Sequence, residues 1–256
     1  MNATEPIPQS KERVAATSPI KVWIATPLRK YDGPQDLPPQ IGRALRDLDE
    51  RKDVAFRVHA DKYEFEFVAV LGGVIRGRNA VVHDFLKDEA AQFLLWWDAD
   101  IFPDDGAVAV LRLLSHRQPV IGGLYVRRGG KRPQFVVTWF PEAKLEPNAE
   151  GAIQVVELGG GFKCYHRKVF TELRRLFPKL VYIHRETGEK CCGFYQHVIV
   201  DGDDLSEDYW MDLLCRKVQI GILADTELKV AHVDGDGTSY PEKGKWPPIP
   251  CLEDQP

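Results

Sequence analysis

Apolar blocks alternate with helically spaced segments through the first half of this chain. KVWIATP (21–27) is a short apolar run stopped by proline, and it predicts a buried first strand. DGPQDLPP reads as loop, and residues 40–50 have helical spacing. EFEFVAVLGG (64–73) predicts a second strand ending on two glycines. RNAVVHDFLKD (78–88) predicts a helix with Ala80, Val81, His83 and Phe85 turned inward. FLLWW (93–97) is apolar without a break, as a strand buried on both faces should be. DDGAVAVLRLLSHR (104–117) predicts a helix led by acids, which its dipole favours, and PVIGGLYV (119–126) a further strand. This βαβα alternation predicts an α/β fold whose central sheet is mixed but mostly parallel and is flanked by helices.

The second half has a different texture. FVVTWF (135–140), AIQVVEL (152–158) and FKCYHR (162–167) predict shorter strands of a mixed sheet. RKVFTELRRLF (167–177) and EDYWMDLLCRKV (207–218) predict amphipathic helices, the second capped by Ser206. GILAD and LKVAHV predict two short strands. Residues 1–18 have the composition of a disordered leader, and the proline-rich stretch from Tyr240 that of an extended tail. Residues 19–239 are expected to form one domain.

Composition narrows the function classes. The chain has 256 residues and a formal net charge of −4, so no global basic field draws it to nucleic acid or anionic lipid. No apolar run reaches the roughly 18–20 residues of a spanning helix, and the N-terminus lacks a signal-peptide core, so the expected location is cytoplasmic. Five cysteines, an odd number with no CxxC pair, fit reduced structural thiols. The adjacent Cys191 and Cys192 read as small residues in a turn before Gly193.

The candidate chemistry sits where FLLWW runs into DADIF. On a strand, Asp98 and Asp100 would share a face, with Ala99 opposite. Two carboxylates at the carboxyl end of a buried strand repel each other unless a cation is present. Hard carboxylate oxygens suit Mg²⁺ or Mn²⁺, and such an ion keeps positions open for phosphate oxygens. A turn and helix cap before FPDDG is the plainer explanation of the same residues.

With the strand–DAD–helix unit in place, the chain resembles the GT-A class of nucleotide-sugar glycosyltransferases, in particular small family-2-like members of the phage type. Six segments match in order: IATP (24–27), IRGRNAVVHDFL (75–86), LLWWDADIFP (94–103), GGLYVRR (122–128), LGGGFKCYHRKVF (158–170) and the stretch from Leu205 to Gly235 with SEDYW and a late histidine. The resemblance covers roughly residues 20–235 and implies a GT-A fold. It implies a nucleotide half at 19–125 and an acceptor half at 126–239 with a smaller sheet. Thr26 and Pro27 would hold the nucleotide base, and Arg78, at the start of its helix, the diphosphate or base. Asp98, Asp100 and His232 would hold Mn²⁺ or Mg²⁺, the imidazole favouring Mn²⁺. Asp208, beside Glu207, would take the acceptor proton in an inverting transfer from a UDP-sugar, or orient sugar or acceptor in a retaining one; the sequence does not separate the two. Gly160 and Gly161 would bring backbone amides to sugar or acceptor, the alternative being a turn that needs positive φ. Arg127 and Arg128, with Lys131 and Arg132, would meet the diphosphate or an anionic acceptor. The acceptor is left open between a glycan, a small molecule and a hydroxymethylated base of phage-type DNA. A nucleotidyltransferase and a non-catalytic sugar-nucleotide or glycan-binding module are the other readings. Oligomeric state is not legible.

Overall fold

The structure is a computed structural model that describes residues 19–28, 36–50, 63–71, 73–129, 133–140, 146–185, 187–241 and 245–249. The leader 1–18, part of the DGPQDLPP loop, Lys131, Arg132, Cys251 and the end of the tail lie outside the described residues.

In chain order the elements are β1 (Ile20–Pro27), α1 (Pro39–Glu50), β2 (Tyr63–Val70), α2 (Val74–Lys87), β3 (Ala91–Trp97), β4 (Ile101–Phe102), α3 (Gly106–Ser115), β5 (Val120–Leu124), β6 (Val137–Thr138), β7 (Ala152–Val155), β8 (Glu157–Leu158), β9 (Phe162–His166) and α4 (Arg167–Leu176). There follow β10 (Val181–Ile183), β11 (Lys190–Cys192), β12 (Val198–Val200), β13 (Asp203–Leu205), α5 (Glu207–Lys217), β14 (Ile222–Lys229), β15 (Ala231–Val233) and β16 (Ser239–Tyr240).

Seven strands form the central sheet in the order β2-β1-β3-β9-β5-β14-β7. Five point one way, and β9 and β7 oppose them. The fold is therefore mixed α/β, with a mostly parallel sheet between helical layers. Both faces are covered. Leu94 and Trp96 of β3 join the apolar core under α2, α4 and α5, while Phe93, Leu95 and Trp97 join the one under α1 and α3. This explains why β3 is apolar at every position. No helix among the described residues is long and apolar enough to cross a membrane.

Several local expectations shift. The smaller acceptor-side sheet is not one piece: β7, β9 and β14 enter the central sheet, and the remaining strands form small two- and three-stranded sheets. Helix α2 starts at Val74, so Arg78 lies in its second turn rather than at its start. Ala80 is exposed, Val82 is buried in its place, and His83 is half-buried against Glu189 at 3.0 Å. Ser206 makes no side-chain capping bond. Cys191 and Cys192 lie in strand β11, and the four described cysteines are buried and free. The start of the tail packs back, with Trp246 stacked on Phe135 and Ile249 buried.

Candidate active site

The order β2-β1-β3 reverses direction at β1, and ligands of open α/β sheets bind outside the carboxyl ends of strands at such a point. A cleft of about 550 Å³ lies there, walled by Pro27, Asp98, Asp100, Arg128, Asp234 and their neighbours. Thr26 is fully buried, with a hydroxyl that has no hydrogen-bond partner, and only Pro27 of that pair reaches the cleft.

Asp98 and Asp100 do not continue the strand. Strand β3 ends at Trp97, and the amide of Ile101 donates to the Asp98 carbonyl at 3.0 Å, closing a tight turn. Strand alternation is therefore not what turns both acids to the cleft. The turn is, and its surroundings hold it. The Trp97 indole donates to the Ile101 carbonyl at 2.9 Å, Gln40 to the Ala99 carbonyl at 2.8 Å, and the Val233 amide to the Asp100 carbonyl at 2.8 Å.

Strand β9 brings the glycine triplet to the same place. It runs antiparallel beside β3 with Phe162 opposite Trp97, so the residues just before it meet the residues just after β3. The Asp98 amide donates to the Gly161 carbonyl at 2.8 Å. None of Gly159, Gly160 and Gly161 has positive φ; close approach is what requires them. A Cβ on Gly159 would overlap the Tyr125 hydroxyl, and one on Gly160 would lie 2.5 Å from Asp208 Oδ1 and 2.7 Å from Arg78 Nη1. Their amides are already engaged. Gly159 donates to the Val136 carbonyl, Gly160 to Asp208 Oδ2 at 2.8 Å, and Gly161 to the Tyr125 hydroxyl at 3.1 Å. Backbone donors for a sugar are therefore not what this loop offers.

Arg78 is the hub of the inner wall. Its side chain is 2% exposed and lies beside the edge-on pair of Trp96 and Tyr195, 5.4 and 5.6 Å from their ring centres. Nη1 pairs with Asp208 Oδ1 and stands 3.4 Å from Glu207 Oε1, while Nη2 lies 3.2 Å from Asp98 Oδ1. Burial alone would favour losing the proton, but Asp208, Asp98 and Glu207 keep the guanidinium charged. Arg78 thus binds the site's own acids, and it does not line the cleft.

The two acids at the start of α5 differ. Asp208 has both oxygens engaged, by Arg78 and by the Gly160 amide. Burial pushes its pKa up, but Arg78, Lys163 and that amide outweigh it and hold Asp208 below the usual carboxylate range. Glu207 has one longer contact with Arg78, and burial together with the Asp208 charge raises its pKa. A carboxylate with a raised pKa is the better proton acceptor of the two.

Beneath the loop lies a pair that the sequence pattern hides. Lys163 and Asp212 are both fully buried and 2.5 Å apart. Lys163 Nζ donates to the Leu158 carbonyl at 2.9 Å, and Asp212 Oδ2 accepts from the Leu158 amide at 2.8 Å. Burial pushes Asp212 up to about 6, against the pull of Lys163. A signal existed: Asp208 and Asp212 are four apart, on the face of α5 that buries Met211, Leu214 and Cys215.

On the outer wall, Asp100 Oδ2 faces His232 Nε2 at 3.4 Å and Arg128 Nη1 at 3.1 Å. His232 Nδ1 lies 3.1 Å from the Val126 carbonyl, which can only accept, so Nδ1 carries the proton. The Tyr125 ring packs edge-on to the imidazole at 5.5 Å. Burial raises the Asp100 pKa, and contacts with His232 and Arg128 bring it below the ordinary value. Asp98 is pushed up to about 6, by burial first, against Arg78 and with the charges of Asp208 and Asp100 adding to it. Among the described residues, no three His, Cys, Asp or Glu side chains are grouped closely enough to hold a metal; Asp100 and His232 are a pair, with Asp98 turned to Arg78. Arg127 donates its backbone amide to the Gln134 carbonyl at 2.9 Å, and it is Arg128 that enters the cleft.

No family model matches this sequence, and no curated protein does. Solved structures share parts of the fold at low identity. The protein A197 from STIV is 14% identical, with a TM-score of 0.48, over 90% of this chain and 97% of that one. A structure of GalNAc-T7 with UDP, GalNAc and Mn²⁺ is 14% identical, with a TM-score of 0.46, over 84% of this chain and 44% of that one. Mannose-1-phosphate geranyltransferase from Thermus thermophilus is 14% identical, with a TM-score of 0.37, over 61% of this chain and 60% of that one.

Proposed function

We propose that this protein is a cation-dependent glycosyltransferase that moves a sugar from a nucleoside-diphosphate donor, a UDP-sugar, to an acceptor hydroxyl. One observation carries the reading. Asp100 Oδ2 and the Nε2 of a histidine protonated on Nδ1 face each other in a cleft at the carboxyl end of β3. The contact with His232 lowers the Asp100 pKa, so a proton lies between the two groups; once it is released, an imidazole nitrogen and a carboxylate oxygen converge as donors to one cation would, and a carbonyl on the far nitrogen is the usual partner of a ligating histidine. The mixed oxygen and nitrogen donors suit Mn²⁺ better than Mg²⁺. Two protein ligands leave positions for diphosphate oxygens.

Charge supports the same reading. Asp98, Asp100 and Asp234 line the cleft with one arginine, Arg128, so its walls carry an excess of carboxylate. The bound cation would act as a Lewis acid on the diphosphate leaving group. The chain's own residues do the rest. Pro27 and the turn 98–101 form the donor wall. Arg78 fixes Asp98 and Asp208 at one spacing. Glu207 accepts the proton of the acceptor hydroxyl as its oxygen bonds to the anomeric carbon and the bond to the diphosphate breaks. This is an in-line, inverting displacement, with Asp208 as the anchor of the glycine loop.

Calorimetric titration of UDP and of GDP, with Mn²⁺ and with EDTA, tests the reading on the native protein and on Asp100→Ala. The expected result is Mn²⁺-dependent UDP binding that Asp100→Ala abolishes. Absence of nucleotide binding under every condition would sink it, and binding that survives both EDTA and Asp100→Ala would remove the cation from it.

A further inference from the structure

Eight large apolar side chains are exposed among the described residues, and five of them fall in two short runs. Leu71, Val74 and Ile75 lie where β2 gives way to α2. Tyr182 and Ile183, the latter 58% exposed, end strand β10. The two runs adjoin. Helix α2 packs on β11, which pairs with β10 and sets Tyr182 opposite Cys191. Arg76, in the first turn of α2, is close enough for its charge to act on the Tyr182 hydroxyl. Val74 also lines the cleft, so the patch forms part of its rim. Single exposed apolar side chains are ordinary, whereas a grouped set marks a surface that meets a partner.

The net charge of −4 hides a basic stretch in the same place: residues 174–190 carry five Lys or Arg and two Glu. Lys190 stands opposite Ile183 in the β10–β11 ladder, Arg185 follows two residues on, and Arg76 stands beside Tyr182. All three are exposed, and none has an ion-pair partner among the described residues. Glu189 beside them is already held, by Lys87 at 2.6 Å and His83 at 3.0 Å. We propose that this face, made by the start of α2 and the β10–β11 hairpin, docks the protein on an anionic lipid surface. The aliphatic side chains enter the boundary between headgroups and acyl chains, and the three basic side chains stay with the lipid phosphates. Tyr182 suits that boundary, with an apolar ring and a polar tip. Charge complementarity selects this occupant. A second copy on the same face, about a two-fold axis, would set these cations against themselves. Nucleic acid matches the charge, but its bases stack on aromatic rings and leave the aliphatic groups unpartnered. Docking sets the mouth of the cleft at the level of the headgroups. It does not depend on the transferase reading, and either can hold without the other.

Co-sedimentation with vesicles tests the proposal, using phosphatidylcholine alone or mixed equally with phosphatidylglycerol. The proteins compared are the native chain, Ile183→Ser, and Arg76→Gln with Lys190→Gln. The native chain should bind the anionic vesicles and not the neutral ones, and less as salt rises. Ile183→Ser should weaken that binding about tenfold through lost apolar insertion. Removing the two charges should also weaken it about tenfold or more. Both variants change exposed side chains, so both should keep the native melting temperature and the native response to UDP. A native chain that leaves anionic vesicles alone, or variants that bind them like the native chain, would overturn the proposal. A native dimer that both variants split would overturn it in favour of a second copy. None of these results bears on UDP binding by the native chain, which decides the transferase reading separately.

Discussion

Two arginines meet carboxylates in and behind this cleft, and their settings are opposite. Arg78 is 2% exposed, lies against two aromatic rings and faces three acids from α5 and the turn after β3. Arg128 is 42% exposed and touches two acids across open space. The inner guanidinium cannot leave without exposing unpaired buried charge. The outer one is half-exposed, as are its acids, so its loss leaves carboxylates that water can reach. The same side chain therefore serves as buried framework on one wall and as a solvent-screened partner on the other. Burial decides which.

The sharpest way to break that contrast is to remove the inner charge. Arg78→Met would leave Asp98, Glu207 and Asp208 facing each other, and the expected loss of stability is about 3–5 kcal/mol, read by urea denaturation. Arg78→Lys should recover little, since one ammonium cannot reach both sides as a fork does. A loss under 1 kcal/mol for Arg78→Met would make the inner arginine no more structural than the outer.

Lys163 and Asp212 extend the inner framework and give it a pH signature. Lys163→Met alone strands a buried carboxylate and should cost about 3 kcal/mol, whereas adding Asp212→Leu should recover most of it. Asp212 is raised to about 6 from an unfolded value near 3.9, so it holds its proton more tightly when folded. That contribution is full below about pH 4 and is lost as pH rises through 6. Native stability relative to the double variant should therefore fall by about 2 kcal/mol between pH 4 and pH 7, and a flat difference would refute the assignment.

These differences bear on what the sequence could disclose. The βαβα half was legible because its strands are continuous apolar runs and its helices keep their period. The place of the acids was legible because two aspartates follow five apolar residues. The insertion of β9 between β3 and β5 was not, since strand order is set by pairing between distant residues, and local alternation is the same at any position in a sheet. Arg78 looked like a helix-start ligand because four residues of helix precede it with no capping signal at Gly73. Lys163 sits in FKCYH, where a lysine reads as an outward position; its partner is 49 residues on. The three glycines suggested a turn, and the reason for them, the Tyr125 hydroxyl and Asp208 against their α-carbons, is tertiary.

Between framework and screened partner lie the two acids of α5. Glu207→Gln should lower the turnover of UDP-sugar hydrolysis by about 10²–10⁴-fold with the melting temperature unchanged, as loss of a general base does. Because the Glu207 pKa is raised, native turnover should fall with acid at a pH above the ordinary carboxylate range, and the variant should lack that limb. Asp208→Asn should chiefly lower stability, through Arg78 and Gly160. The reverse pattern would return the base role to Asp208. Gly160→Ala should act as a milder form of the same damage, costing about 1–3 kcal/mol as its methyl forces Asp208 and Arg78 apart.

The smallest expected effect is the one that defines the outer wall. Arg128→Gln should change stability by about 1 kcal/mol or less, because a half-exposed pair gains little from solvent-screened attraction. Its two acids can then turn to water, an option narrower for Glu207 and Asp208, 20% and 17% exposed. A loss as large as that of Arg78→Met would mean that Arg128 builds the cleft rather than filling it. A near-silent stability change would separate the two arginines by the property on which they were contrasted: whether the carboxylates they hold can do without them.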